Sequence, residues 1–232
     1  MDERDELIAS GRAYLEWELE MGGEVAPVVQ LAAQAAPVRE KRVVLSPAER
    51  RERLAVLATE AAACTRCVLH STRTKSVFAR GNPDSPLVFV GEGPGFNEDK
   101  QGLPFVGPAG KLLDKMIEAM RLSPDDVYIC NVVKCRPPEN RTPLADEADA
   151  CERFLTAQLD AVAPRVVVAL GKCAAQSFGC VNETSRSWRG IWRTWRGIPV
   201  MPTYHPAFLL RSPEMKRPVW DDLQKVMARL AG

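Results

Sequence analysis

Four short apolar runs, at 87–90, 127–133, 165–170 and 198–203, constrain this chain most, because stretches of helical character lie between them. Runs this short and this continuously apolar suit strands buried on both faces. Amphipathic segments near 108–121, 144–162 and 171–178, with a last one at 217–230, supply the covering helices. The alternation predicts an α/β fold with a parallel sheet covered on both sides. In such sheets ligands bind beyond the carboxyl ends of the strands. The residues that follow the first, second and fourth runs are therefore the first to read for function.

The N-terminal part reads differently. Leu7, Ile8, Tyr14, Leu15, Trp17, Leu19 and Met21 predict a short amphipathic helix over 7–21, and residues 22–45, rich in Ala, Val and Pro, read as a linker. Residues 1–45 are thus expected to be a partly disordered extension ahead of a domain spanning 46–232. Ser46-Pro47-Ala48-Glu49 combines an N-cap, a first-turn proline and a Glu three residues on. It predicts a helix over about 47–62 that delivers Cys64 and Cys67 at its end.

Cys64-x2-Cys67 and Cys135-x15-Cys151 are two cysteine pairs. The first spacing lets a tight turn carry both thiolates to one side, and a second pair can complete a four-thiolate site. Zinc and an iron–sulfur cluster both suit such a site. Seven cysteines is an odd number for a chain too large to depend on disulfides, so a reducing, cytoplasmic location is expected. The opening MDERDELIAS has neither the basic nor the apolar region of an export signal, and no apolar run approaches the roughly 20 residues needed to span a bilayer.

Net charge is +1, which excludes a global pull toward nucleic acid, but the charge is unevenly spread. Residues 1–24 carry eight acids and two bases, whereas 183–217 carry seven bases and two acids. A basic C-terminal third can present a phosphate-binding face, although a solvated surface hairpin explains the same residues equally well.

The first run leads into Gly91-Glu92-Gly93-Pro94-Gly95, followed by Glu98 and Asp99. Glycines allow close backbone approach to a ligand, yet the Lys-Ser/Thr of a phosphate loop is missing and three carboxylates stand nearby. The second run contains Asn131, whose amide presents a donor and an acceptor side by side, as reading a base edge requires. A lone Asn more often satisfies local backbone groups. The fourth run ends at His205-Pro206, where the proline keeps His205 extended; a lone His is more often structural, but a strand end raises its standing.

Taken together, GEGPGFNEDKQGLPFVGPAGKLL (91–113), NVVKCRPPENRTP (131–143), HPAFLLR (205–211) and the two cysteine spacings closely resemble the family 4 uracil-DNA glycosylases, the iron–sulfur members of their superfamily. The resemblance covers about residues 60–230. It implies a three-layer α/β/α sandwich with a central four-stranded parallel sheet. It also implies hydrolysis of the uracil–deoxyribose bond in uracil-containing DNA, single- or double-stranded, by a monomer that extrudes the nucleotide into a pocket.

Residue by residue, the resemblance assigns a [4Fe–4S] cluster to Cys64, Cys67, Cys135 and Cys151, with zinc the physical alternative. Phe105 would stack on the flipped base, Asn131 would pair with the uracil edge, and His205 would hydrogen-bond the departing O2. The best-known uracil glycosylases carry Asp where this chain has Gly93, so Glu92 or loop carbonyls are left to orient the water. Glu98 and Asn140 match supporting pocket positions. Leu209 and Leu210 would wedge into the DNA, and Arg211 would grip phosphate. Trp188, Trp192 and Trp195, interleaved with arginines, read as a hairpin before the fourth strand rather than as a stacking platform. No lysine stands at a motif position suited to a Schiff base, so lyase activity is not expected. The cross-linking branch of the superfamily needs a basic insertion with a His between Cys135 and Cys151, which RPPENRTPLADEADA lacks. A non-catalytic nucleic-acid module and a zinc protein acting on nucleotides are the other readings, and a partner such as a sliding clamp is not derivable from these residues.

Overall fold

Val166–Leu170 reads VVVAL and is buried at every position, as is Leu87–Gly91. Such strands bury side chains on both faces and must be central to the sheet. The computed structural model of the chain describes residues 45–181 and 188–232. Of two compact units, 1–38 and 39–232, the first lies outside the described residues, and with it the expected helix over 7–21.

In chain order the elements are helix α1 (Pro47–Ala63), strands β1 (Ala79–Gly81) and β2 (Leu87–Gly91), helices α2 (Phe96–Gln101) and α3 (Pro108–Ala119), strand β3 (Tyr128–Asn131), helix α4 (Ala145–Val162), strand β4 (Val166–Leu170), helix α5 (Lys172–Ser177), strands β5 (Arg193–Trp195) and β6 (Ile198–Thr203), and helices α6 (Pro206–Arg211) and α7 (Lys216–Ala231). The sheet order is β1-β3-β2-β4-β6-β5. The four inner strands run parallel and correspond to the four apolar runs, while β1 and β5 add one antiparallel strand at each edge. The four expected parallel strands are the inner ones; β5 is the outer arm of the hairpin expected before the fourth, whereas β1 was not expected because ARG is a three-residue, half-exposed segment with no apolar signature.

Alternation along the strands divides the core in two. Val88, Val90, Tyr128, Val167 and Val200 point toward α1, α4 and α5; Phe89, Ile129, Val168 and Met201 point toward α3, α6 and α7. The result is a three-layer α/β/α sandwich. The helix start at Ser46 forms as its residues predict: Glu49 N–H donates to Ser46 Oγ at 3.4 Å and the Glu49 carboxylate accepts from Ser46 N–H at 2.8 Å. Such caps contribute about 1 kcal/mol. Among the described residues no helix is long and apolar enough to cross a membrane.

The chain passes from β2 to β3 on one side, while β4 lies on the other side of β2, so the strand order reverses at β2. The crevice that this switch opens at the carboxyl ends is the site-forming position in sheets of this kind.

Candidate active site and cysteine pocket

Gly91 and Asn131 are register partners at the ends of β2 and β3. The parallel pairing runs on past the strands, with Val132 and Val133 N–H donating to the carbonyls of Gly91 and Glu92 at 2.9 and 3.1 Å. This holds the glycine loop against the segment leading to Cys135. A cleft of about 430 Å³ opens there, walled by Glu92, Gly93, Glu98, Phe105, Asn131 and Asn140, with His205 and Arg211 contributed from beyond β6.

Phe105 is only 6% exposed and its backbone is left-handed, φ 56°. Two neighbours make that conformation possible. Arg80, on the edge strand β1, donates to the carbonyls of Pro104 and Phe105 at 3.0 and 3.4 Å and pairs with Asp114 of α3. Glu98 Oε1 accepts from the N–H groups of Val106 and Gly107 at 2.9 and 2.8 Å. Glu98 thus works as a loop anchor. At Gly91 a Cβ would lie 2.4 Å from Phe105 Cζ and 2.5 Å from Asn131 Oδ1, so only glycine lets these two side chains meet.

Asn131 is 2% exposed, and its Oδ1 is buried with no hydrogen-bond partner in the protein. A buried acceptor left without a partner costs about 1–3 kcal/mol. In a cleft wall such an atom is a receptor for a ligand donor. No local backbone group uses this oxygen.

His205 takes the N-cap position of α6, with Pro206 as the first helical residue. Its Nδ1 accepts from Ala207 N–H at 3.1 Å. A backbone N–H can only donate, so Nδ1 carries no proton. Burial, aided by the Arg211 charge and opposed by Glu98, brings the imidazole down to about 4. The ring is therefore neutral at ordinary pH with its proton on Nε2. It stacks on Phe105, centroids 5.6 Å apart and planes 29° apart. Gly171, at the end of β4, leaves room for it, since a Cβ there would stand 3.1 Å from His205 Cβ.

Glu92 has its carboxyl pushed above the usual range by burial, against a lowering hydrogen bond from Thr142. A Cβ on Gly93 would lie 2.8 Å from Val133 Cγ2, so position 93 offers no room for a carboxylate unless Val133 gives way. Asn140 sits exposed on the rim, its Oδ1 accepting from Arg136 Nε at 2.7 Å. The rim segment is tethered by Arg141, whose guanidinium forks onto the buried Glu147 of α4 at 2.6 and 2.8 Å. That pair holds the Glu147 carboxyl well below its ordinary range.

Of the three residues expected on DNA, Leu209 is corrected by the structure. It is 1% exposed and packs in the core between α6 and the sheet, so it cannot wedge between bases. A six-residue helix puts adjacent side chains on different faces: Leu210 is 48% exposed and Arg211 is exposed at the cleft. The tryptophans pack as a hairpin predicts, with Trp195 edge-on to Phe178 and Trp188 edge-on to Tyr204. Arg189 is committed to Asp222, with hydrogen bonds at 2.9 and 3.1 Å.

Cys64, Cys67, Cys135 and Cys151 line one pocket, brought from the end of α1, the end of β3 and the first half of α4. Among the described residues no tight metal-binding group of three or more His, Cys, Asp or Glu is formed. The chemistry of the pocket nonetheless suits a thiolate-bound group. Arg66, Arg73 and Lys134 line it, and no carboxylate does. Arg73 donates to Cys135 Sγ at 3.0 Å, and Lys134 N–H donates to Cys151 Sγ at 3.3 Å. Burial raises Cys135 and takes Cys151 up to about 11, so metal uptake must release the protons of these two thiols. Cys130 and Cys180 are buried as small apolar side chains; Cys173 is half-buried, raised to about 12 by burial and the nearby Glu92.

The sequence reading picked out Gly91 within the glycine loop but missed Arg80, Gly110, Lys134 and Thr142, which shape the site without belonging to a recognisable chemical pattern. Gly110, Lys134 and Thr142 lie inside the two long motifs at 91–113 and 131–143, which is the signal that could have found them.

The uracil DNA glycosylase superfamily model matches residues 78–224. A type-4 uracil-DNA glycosylase of Thermotoga maritima is 47% identical over 180 residues, which is 76% of this chain and 94% of the relative. Those of Archaeoglobus fulgidus and Sulfurisphaera tokodaii are 39% and 43% identical, over 75% and 72% of this chain and 92% and 80% of their own lengths. With this fold and cleft, the chain belongs to the uracil DNA glycosylase superfamily and, within it, to the type-4 uracil-DNA glycosylases.

Proposed function

We propose that the cleft hydrolyses the bond between uracil and deoxyribose in DNA, with Phe105, Asn131 and His205 as its working residues. The activity, release of uracil to leave an abasic site for repair, is that of the family. The observation that carries the division of labour is the unpartnered, buried Oδ1 of Asn131 beside the stacked Phe105 and His205 rings.

A uracil flipped into the cleft stacks on Phe105. Asn131 Oδ1 accepts from N3–H while its amide donates to O4. Cytosine reverses both groups and would leave buried polar atoms unpaired at about 1–3 kcal/mol each. Negative charge develops on the departing base, mainly at O2, and the Nε2–H of neutral His205 donates to it. A neutral donor stabilises the anion without surrendering its proton to it.

Glu92 is the acid beside the water's approach. An oxocarbenium-like transition state needs little nucleophilic push, so orienting the water suffices. Glu98 acts through the 105–107 loop, and Asn140 lines the entrance. Leu210 fills the gap left by the flipped base and Arg211 grips the adjacent phosphate. Cys64, Cys67, Cys135 and Cys151 would hold a [4Fe–4S] cluster. When bound it ties three segments together and takes no part in bond cleavage. Residues 46–232 form the catalytic domain, working on DNA as a monomer in the cytoplasm.

The test is incubation with a uracil-containing oligonucleotide followed by alkaline cleavage of abasic sites. Uracil-dependent scission supports the reading. Binding without scission would replace it with a non-catalytic DNA-binding module, and scission without alkali would replace the monofunctional mechanism with a lyase.

A further inference from the structure

Lys134 is 1% exposed, among the most buried large side chains of the protein. An ammonium so deeply buried needs compensation, or its desolvation is strongly unfavourable. Among the described residues no carboxylate stands within ion-pair distance of it. Its Nζ instead donates to the backbone carbonyl of Asn131 at 2.6 Å and lies 5.9 Å from the Phe78 ring centroid. The same residue's N–H donates to Cys151 Sγ, and Lys134 is one of the residues that line the four-cysteine pocket.

We propose that Lys134 is a positioning residue that couples the four-cysteine site to base recognition: its buried ammonium is balanced by the anionic thiolate-bound group in the pocket and holds the Asn131 carbonyl. The inference rests on the reading of Asn131 as the uracil-reading residue. The carbonyl of Asn131 shares its residue with the amide that meets the base. Clamping it fixes the end of β3 and limits how far that amide can tilt. Four thiolates around a cluster carry net negative charge, and Arg66, Arg73 and Lys134 are the charged residues that line the pocket to meet it. The lysine thereby serves both sides at once, which explains a buried charge that neither the sheet nor the helices require.

The test compares holoprotein variants Lys134→Met, Lys134→Gln and Lys134→Arg by iron content, cluster reduction potential, and kcat and KM on uracil DNA. Wild-type protein is the control: if it fails to release uracil, the functional reading fails, whereas the potentials still test the electrostatic half of the coupling. Lys134→Met is expected to shift the potential to more negative values, because reduction adds charge that the lysine no longer offsets. It is also expected to raise KM at least about tenfold, with a smaller change in kcat. Lys134→Gln keeps a donor for the carbonyl but no charge, so it should recover KM and leave the potential shifted; Lys134→Arg should restore the potential. If Lys134→Met does not fold, the potential of Lys134→Gln decides alone. Wild-type potential in the uncharged variants, or wild-type KM in Lys134→Met, would overturn the proposal.

Discussion

Gly110 and Phe105 share one contact surface so closely that a Cβ at position 110 would lie 1.8 Å from the Phe105 carbonyl oxygen. Gly110 is in the first turn of α3, and the left-handed Phe105 backbone rests directly on it. Gly110→Ala must therefore push Phe105, the proposed stacking partner of the base, out of position. We expect kcat/KM to fall about 10²-fold, the scale on which small displacements from productive geometry act. Steady-state kinetics beside a thermal melt checks this: a variant with native activity would show that Phe105 need not hold this backbone.

Asn131→Asp replaces the amide donor by a second acceptor with almost no change of shape. Against uracil O4 this becomes a repulsion in a buried site, and kcat/KM on uracil should drop by at least tenfold, the equivalent of about 1.4 kcal/mol. The fold should survive, because Oδ1 has no protein partner to lose. Single-turnover assays on uracil DNA settle the point, and an unchanged rate would remove Asn131 from base reading.

His205 titrates at about 4 in the folded protein against an ordinary 6.5. The unfolded chain therefore binds more protons between those values, and folding stability contributed by this group is complete above about 6.5 and is lost as pH falls toward about 4. Urea midpoints across this window should fall less steeply in His205→Gln than in wild type. If the ring donates to O2 as proposed, His205→Ala should lower kcat by roughly 10²–10³. Full activity in either variant would end the assignment.

Glu92, raised by burial, loses its charge at a higher pH than an ordinary carboxylate. If its ionised form orients the water, the acid limb of the rate profile lies above the usual Glu range and flattens in Glu92→Gln. A profile that Glu92→Gln leaves unaltered would return the role to loop carbonyls.

Cys135 joins the four-cysteine pocket to the segment that begins at Asn131, and Arg73 donates to its sulfur. Cys135→Ser should abolish the brown absorption and iron content and lower the melting temperature. Hydrogen exchange should rise first in 64–75 and 132–143, the segments that the four sulfurs tie together. Retained iron would exclude Cys135 as a ligand.

The parallel sheet was legible because Leu87–Val90 and Val166–Leu170 are buried on both sides, which leaves a continuous apolar run that few other structures explain. Ser46 and Glu49 announced a helix start through local chemistry alone. The β1 edge was not legible, whereas the β5–β6 hairpin was expected from the Trp–Arg stretch: Ala79-Arg80-Gly81 earns its place by pairing with β3 and by Arg80 reaching Phe105, both long-range events. Leu209 shows the same limit at side-chain scale, because which of two adjacent leucines faces the core depends on how α6 sits on the sheet.

The sequence by itself determined the alternation of strands and helices, the four cysteines and the family, since these reside in residue type, spacing and order. Only the tertiary structure decided that Asn131 Oδ1 lacks a partner, that His205 is neutral with its proton on Nε2, and that Lys134 joins the cysteine pocket to the end of β3. Each depends on burial and on contacts between residues far apart in the chain, quantities that exist only once the layers are packed.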